Sequence, residues 1–275
     1  MKRVFRSALI LCLGCFWLSS NVFAASPRQA LVDDGMIVQA MKRGSLRVGL
    51  STFVPWAMPD KNGQLVGFEV DVATRLAKDL GLKLELVPTD WGGIIPALLS
   101  GKFDVIIGGM SVSMERGLRV NFSIPYDYSG MDILANRQKA AGFNSPEDFN
   151  NPQVVLALRN GASSVTAVKK FMPLAQIRYF DDESQAVQEV LVGRAHAMIS
   201  SLPLPSFQAI KYPDNLFTPL DKPFTREPIA FAVRKGDADS LNVLDNWIRL
   251  ASEEGWLEER HHYWFNTTDW EKDLK

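Results

Sequence analysis

From Leu46 onward, strand-like alternation and helix-like spacing follow each other in two successive series, which confines the chain to an α/β architecture. In the first series Leu46, Val48 and Leu50 alternate with Arg47 and Gly49, and residues 82–87 repeat the alternation. Between them, residues 68–80 carry Val72, Leu76 and Leu80 on one helical face. Glu69 and Asp71 stand at the positive end of that helix, and Gly81 stops it. A short helix with Pro96 in its first turn and a buried strand at 103–107 complete the series. The second series runs strand 154–158, helix 164–171, strand 177–180, helix 184–191 and strand 197–199. The tail returns to helix at 241–250 and to an aromatic-rich helix at 256–265, expected to dock on a lobe. Two such series predict two lobes with a crevice between them. In open α/β sheets, ligands sit beyond the carboxyl ends of strands, so the loops after Ile107 and Leu158 are where a site is expected.

The first residues read as an export signal. Lys2, Arg3 and Arg6 precede an apolar core at 8–18, and Val22 to Ala24 supply small residues for cleavage after Ala24. That cut would remove Cys12 and Cys15, leaving a thiol-free chain that must be stabilised by its core alone. Three of the 30 Lys and Arg leave with it, so 27 face 31 Asp and Glu, a net charge of about −4. This balance argues against nucleic acid or an anionic membrane surface as partner.

After the strand at 103–107 come Gly108 and Gly109, then Ser111, Ser113 and Arg116. The glycines let backbone approach a ligand, Ser113 can cap a short helix, and Arg116 can meet a carboxylate through two parallel hydrogen bonds. A solvated arginine beside an ordinary capped helix accounts for these residues equally well. Trp91, ahead of Gly92 and Gly93, can face the crevice, and Phe53 and Trp56 lie in the first strand-to-helix loop. Trp56 reads best as a plug at the lobe's edge. In the second half, residues 160–164 form a turn with Ser163 or Ser164 as cap and anion donor. Catalytic and metal-binding patterns are thin. The histidines are His196, His261 and His262, the last two adjacent, and there is neither a Gly-x-Ser-x-Gly elbow nor a phosphate loop. No metal and no cofactor are expected.

These loops, in this order, resemble the polar amino acid-binding family of periplasmic solute-binding proteins that serve ABC importers. The resemblance rests on Gly-Ser-Leu-Arg-Val-Gly at 44–49, Gly-Phe-Glu-Val-Asp at 67–71, Pro-Thr-Asp-Trp at 88–91 and Ile-Pro-Ala-Leu at 95–98. It continues in Ser-Gly-Lys-Phe-Asp-Val-Ile-Ile at 100–107, Gly-Met-Ser-Val-Ser-Met-Glu-Arg at 109–116, Phe-Ser-Ile-Pro-Tyr at 122–126 and Val-Arg-Lys-Gly-Asp at 233–237. It implies a Venus-flytrap fold with two hinge crossings, near 129–135 and 221–228. Lobe 1 would be 25–131 plus 226–275, and lobe 2 would be 132–225. It further implies a monomeric periplasmic protein whose ligand-bound form meets an inner-membrane ABC permease. Arg116 would hold the ligand carboxylate, Ser111, Gly109 and Ser163 would assist, and Trp91 and Phe53 would flank the ligand side chain.

One departure stands out. The family's ammonium-binding aspartate follows a Gly-Arg-x-Asp-Ala pattern, and here residues 193–201 read Gly-Arg-Ala-His-Ala-Met-Ile-Ser-Ser, with His196 for one acid and Ser201 at the ammonium position. Ser51 stands where another family acid would be, which disfavours strongly cationic ligands. Glu227 and Asp181 are the candidate replacements; otherwise the ligand is a carboxylate without an amine. Two alternatives share the scaffold. Cyclohexadienyl dehydratases resemble it, yet residues 202–204, where their acid would lie, are Leu, Pro and Leu. A sensor reporting to a membrane receptor would use the same flytrap.

Overall fold

The computed structural model describes residues 34–274; the export signal expected at 1–24 lies outside them. Two five-stranded mixed sheets organise the chain. In the first, Ser45–Leu50 lies parallel to both Lys83–Pro88 and Val105–Ile106, with Leu46, Val48 and Leu50 fully buried. Ala232–Val233 closes this sheet antiparallel to Val105–Ile106 and Asn121–Phe122, bringing the late part of the chain back to the early part. In the second, Val155–Arg159 is parallel to Gln176–Phe180 and Ala197–Ser201, while Met131–Asn136 runs antiparallel to Ala197–Ser201.

Each sheet owns a core. Helix Phe68–Asp79 packs Phe68, Val72, Ala73 and Leu76 onto the first sheet, together with Phe231, Leu244 and Trp247 from the end of the chain. Burying each of these large side chains contributes roughly 1.5–3 kcal/mol. The second sheet is covered on one face by helix Ser163–Phe171 and on the other by helix Glu183–Leu191. The aromatic tail docks as expected: Phe265 lies 4.6 Å from Trp56 and 5.1 Å from Phe68 between ring centroids, and Trp264 Nε1 donates to Asp71 at 2.7 Å. Trp56, only 2 % exposed, is therefore core rather than cleft lining, as a plug should be.

Glu69 departs from its reading as a helix-end charge. It is fully buried, and the Tyr126 hydroxyl donates to it at 2.7 Å. Burial pushes its carboxyl up to about 8. A charge at the helix start is written locally, whereas the Tyr126 hydroxyl and the Gly109 backbone that meet Glu69 come from distant segments.

Between the two sheets runs a two-stranded antiparallel ribbon, Asp127–Ser129 against Glu227–Ile229. Both passages of the chain from one sheet to the other go through it. The loop carrying Ser111 is laced to the same ribbon, with Val112 N–H donating to the Pro228 carbonyl at 2.9 Å and Ala230 N–H to the Met110 carbonyl at 3.1 Å. That lacing sets Glu227 beside Ser111.

Candidate ligand-binding site

The carboxyl ends of the parallel strands of both sheets face one another, and a cavity of about 770 Å³ lies there. Trp91, Met110, Ser111 and Arg116 line it from the first sheet's side, and Asn160, Gly161 and Ser163 from the second's. The volume suits a small organic ligand. Its charged lining is five cations (Arg116, Arg119, Lys169, Lys170, Arg226) against two acids, Glu115 and Glu227, which favours anions at the mouth.

Arg116 sits on the short helix Met114–Gly117, whose cap Ser113 accepts the Arg116 N–H at 3.2 Å. Its side chain bends back into the cavity. Nη1 donates to the Ser111 carbonyl at 2.8 Å, and Nη2 crosses to the Gly161 carbonyl at 3.0 Å. Its guanidinium carbon lies 5.7 Å from the Trp91 ring centroid. Burial lowers the Arg116 pKa, opposed by the nearby Glu227, so a partner anion in the cavity would relieve a desolvated cation.

Close approach of the two sides depends on Gly161. With φ +71°, it places its backbone so that an added Cβ would come 3.2 Å from Gly92 Cα. Gly109, also at positive φ, lies with its backbone against the buried Glu69 and Tyr126 pair, and an added Cβ would meet Trp56 at 3.0 Å. Gly109 thus buttresses the loop from behind rather than facing the cavity.

Ser111 and Ser163, from opposite sides, lie 3.2 Å apart through their hydroxyls, and both donate to one oxygen of Glu227, at 2.6 and 2.9 Å. Ala162, not a serine, holds the cap position of helix Ser163–Phe171 and makes no side-chain cap bond. Ser163 is thereby free to serve the cleft. Of the two acids considered for the ammonium, Glu227 reaches the cavity, whereas Asp181 is exposed outside it.

Phe53 and Ser201 are not among the cavity's lining residues. Phe53 stacks on Trp56 at 6.1 Å and packs against apolar residues of both lobes. Ser201 ends a strand in the second sheet, paired to Met131. His196 is structural: its Nδ1 accepts the Val155 N–H at 3.1 Å.

Sequence reasoning did not find Arg159. It ends strand Val155–Arg159 on the second sheet, is 4 % exposed, and donates to the Ser51 hydroxyl of the other lobe; neither residue is among those lining the cavity, which Arg159 borders through Trp91. Its guanidinium carbon lies 5.3 Å from the Trp91 centroid. The available signal was an arginine at the end of an otherwise apolar strand, just before a glycine turn.

A family model describing bacterial extracellular solute-binding proteins, family 3, matches residues 46–267. The L-cystine-binding protein TcyJ of Escherichia coli is 29 % identical over 86 % of this chain and 88 % of its own length. A cyclohexadienyl dehydratase of Pseudomonas aeruginosa is 27 % identical over 96 % of each chain. A solved structure, described as a putative binding component of an ABC transporter from Wolinella succinogenes complexed with lysine, shares 41 % identity over 84 % of this chain and 99 % of that one, with a TM-score of 0.78.

Proposed function

The chain belongs to family 3 of the bacterial extracellular solute-binding proteins, and on that footing we propose that it is the periplasmic substrate-capturing component of an amino-acid ABC importer. The ligand is an amino acid or related small carboxylate held between the two lobes. The observation that carries this reading is the convergence, from both sheets, of Arg116, Ser111, Ser163 and Trp91 on one cavity. Arg116 has two nitrogens already turned toward carbonyl acceptors in the cavity, the geometry a carboxylate would take over with stronger, charge-assisted bonds. Ser111 and Ser163 supply hydroxyls to the same group, and Trp91 covers the ligand's flank.

Glu227 takes the role of the missing aspartate. Its carboxylate stands against the two hydroxyls, within reach of an ammonium bound next to a carboxylate on Arg116. Among the described residues, 34–131 plus 226–274 make lobe 1 and 132–225 make lobe 2, and the two move about the ribbon Asp127–Ser129 with Glu227–Ile229. The closed, ligand-bound monomer is the form an inner-membrane permease would meet. Phe53 and Gly109 hold the walls of the cleft, and Ser201 stands at its hinge end.

The dehydratase among the relatives marks the enzymatic alternative. Such chemistry needs an acid that can protonate a leaving hydroxyl. Leu202, Pro203 and Leu204 offer none, and Oε2 of Glu227 already accepts from two serines. Binding without turnover is the reading these residues support.

The test is a thermal-shift screen of the purified protein with amino acids and small carboxylates, backed by native mass spectrometry of what co-purifies. A ligand that binds only the folded form raises the melting temperature. The absence of any stabilising compound would overturn the proposal.

A further inference from the structure

Arg159 belongs to the second lobe, yet its guanidinium is spent on the first. It donates to Ser51 and lies 5.3 Å from the centre of the Trp91 ring. An aromatic face and a nearby hydroxyl or acid are what a cleft of this kind would offer to a cationic ligand side chain. Here a cation of the protein already stands there. Trp91 therefore carries two guanidinium groups within 6 Å of its centroid, Arg116 at 5.7 Å and Arg159 at 5.3 Å.

Three further observations bear on what Arg159 would welcome. Its Nε, fully buried, has no hydrogen-bond partner among the described residues. The hydroxyl of Ser164, at the start of the neighbouring helix, is likewise buried without a partner among them. Three acids act on Arg159 through charge alone, foremost the buried Glu183 at the start of helix Glu183–Leu191, then Asp182 and Asp90, and none forms an ion pair with it among the described residues. A buried guanidinium with a free N–H and no bidentate partner favours a carboxylate. Like charge disfavours an ammonium or a second guanidinium at the same place.

We infer that Arg159 is the selectivity residue of the cleft, excluding ligands with cationic side chains and favouring those whose far end is a second carboxylate. The ligand class is then an acidic amino acid or short dicarboxylate, held at one end by Arg116 and reaching past Trp91 with the other toward Arg159, which borders the cavity without lining it. This inference rests on the proposed binding role of the cleft and sharpens it. It also separates this chain from the 41 % identical structure that holds lysine, since a lysine ammonium would have to displace or face Arg159.

The experiment is titration calorimetry of the full exported protein with L-glutamate, L-glutamine, L-lysine and glutarate, for the wild type, Arg159→Met and Arg116→Ala. The wild type is expected to bind glutamate at least tenfold tighter than glutamine and to bind lysine weakest. Arg159→Met should remove the preference for glutamate over glutamine and raise the relative affinity for lysine at least tenfold. Arg116→Ala should weaken all four. If Arg159→Met fails to fold, Ser51→Asp, which gives Arg159 an internal counter-charge, is expected to shift the same ratios in the same direction. A wild type that prefers lysine, or ratios unchanged in the Arg159 or Ser51 variants, overturns the selectivity role while leaving the cleft a binding site. A wild type that binds none of the four overturns the selectivity role as well, and if the wider screen is also blank the binding role falls with it.

Discussion

The guanidinium of Arg116, carried by the lobe of the first sheet, donates to the carbonyl of Gly161 in the other lobe at 3.0 Å. A single side chain thus touches both halves of the molecule at the cavity, so whatever it binds there is coupled to how closely the halves approach.

Arg116→Ala is expected to lower affinity for every carboxylate ligand by about 100-fold, roughly 3 kcal/mol, the scale of losing a buried charge-assisted pair. Arg116→Lys should recover only part of this, because an ammonium cannot form the two parallel bonds. Calorimetry on both variants checks it. Because the Nη2 bond to Gly161 is lost too, small-angle scattering should show the alanine variant more open on average than the wild type.

Glu227→Gln is expected to act on the amine and spare the carboxylate. The wild type should bind an α-amino acid more tightly than its deaminated analogue, and the amide variant should lose about tenfold of that preference, or ~1.4 kcal/mol. Glutamine keeps an acceptor for Ser111 and Ser163, so the cavity's shape is preserved while its negative charge goes. Equal preference in both proteins would return the ammonium role to some other group.

The extent to which this site was legible follows from what each residue's signal consists of. Alternation and helical spacing marked the strands around Val48 and the helix after Gly67, because burial on one face is written locally. Arg116, Ser111, Trp91 and Ser163 stood out because each sits just after a strand end, where α/β folds open their crevices. Glu227 was only one of two guesses. Its position depends on the pairing of two segments about 100 residues apart, Asp127–Ser129 with Glu227–Ile229, which no local pattern encodes. Arg159 was missed for a related reason: a charged residue ending an apolar strand reads as a solvated terminus until the other lobe covers it. Phe53 was expected to flank a ligand and instead stacks on Trp56, since aromatic residues three positions apart in a loop carry no mark of which side they face.

Glu69 makes stability depend on pH in a definite direction. Its folded carboxyl sits at about 8, against an ordinary value of 4.5, so between those pH values the folded chain holds a proton that the unfolded chain has released. Stability therefore falls as pH rises through that window. Glu183, pushed up to about 7, and Asp132, to about 6, both by burial, add slopes of the same sign. Glu69→Gln keeps an acceptor for Tyr126 and has nothing to titrate. Urea unfolding at pH 5 and pH 8 is expected to show a smaller stability difference in the variant than in the wild type, with the variant the more stable of the two at pH 8. A wild type equally stable at both values would remove Glu69 as a buried titrating group.

Asp104 anchors the first strand by charge. It is 1 % exposed and accepts from the side chains of Arg43 and Arg47, the latter at 2.8 Å, and from the Arg47 backbone N–H, also at 2.8 Å. Breaking a buried pair by removing one partner costs about 3–5 kcal/mol when the remaining charge stays buried. Here the arginine side chains are 33 % and 28 % exposed and can turn to water, while the Arg47 N–H is left without its acceptor. Asp104→Ala should therefore lie at or below the low end of that range, about 2–3 kcal/mol, lowering the melting temperature by roughly 2–4 °C for each of those kcal/mol. Asp104→Asn, which can still accept from the Arg47 N–H, should lose less than the alanine variant. Since Asp104 is not among the residues lining the cavity, ligand affinity measured well below the melting point is expected to be unchanged in both. Thermal melts paired with calorimetry separate the two effects, and an alanine variant as stable as the wild type would show that the two arginines gain nothing from this carboxylate.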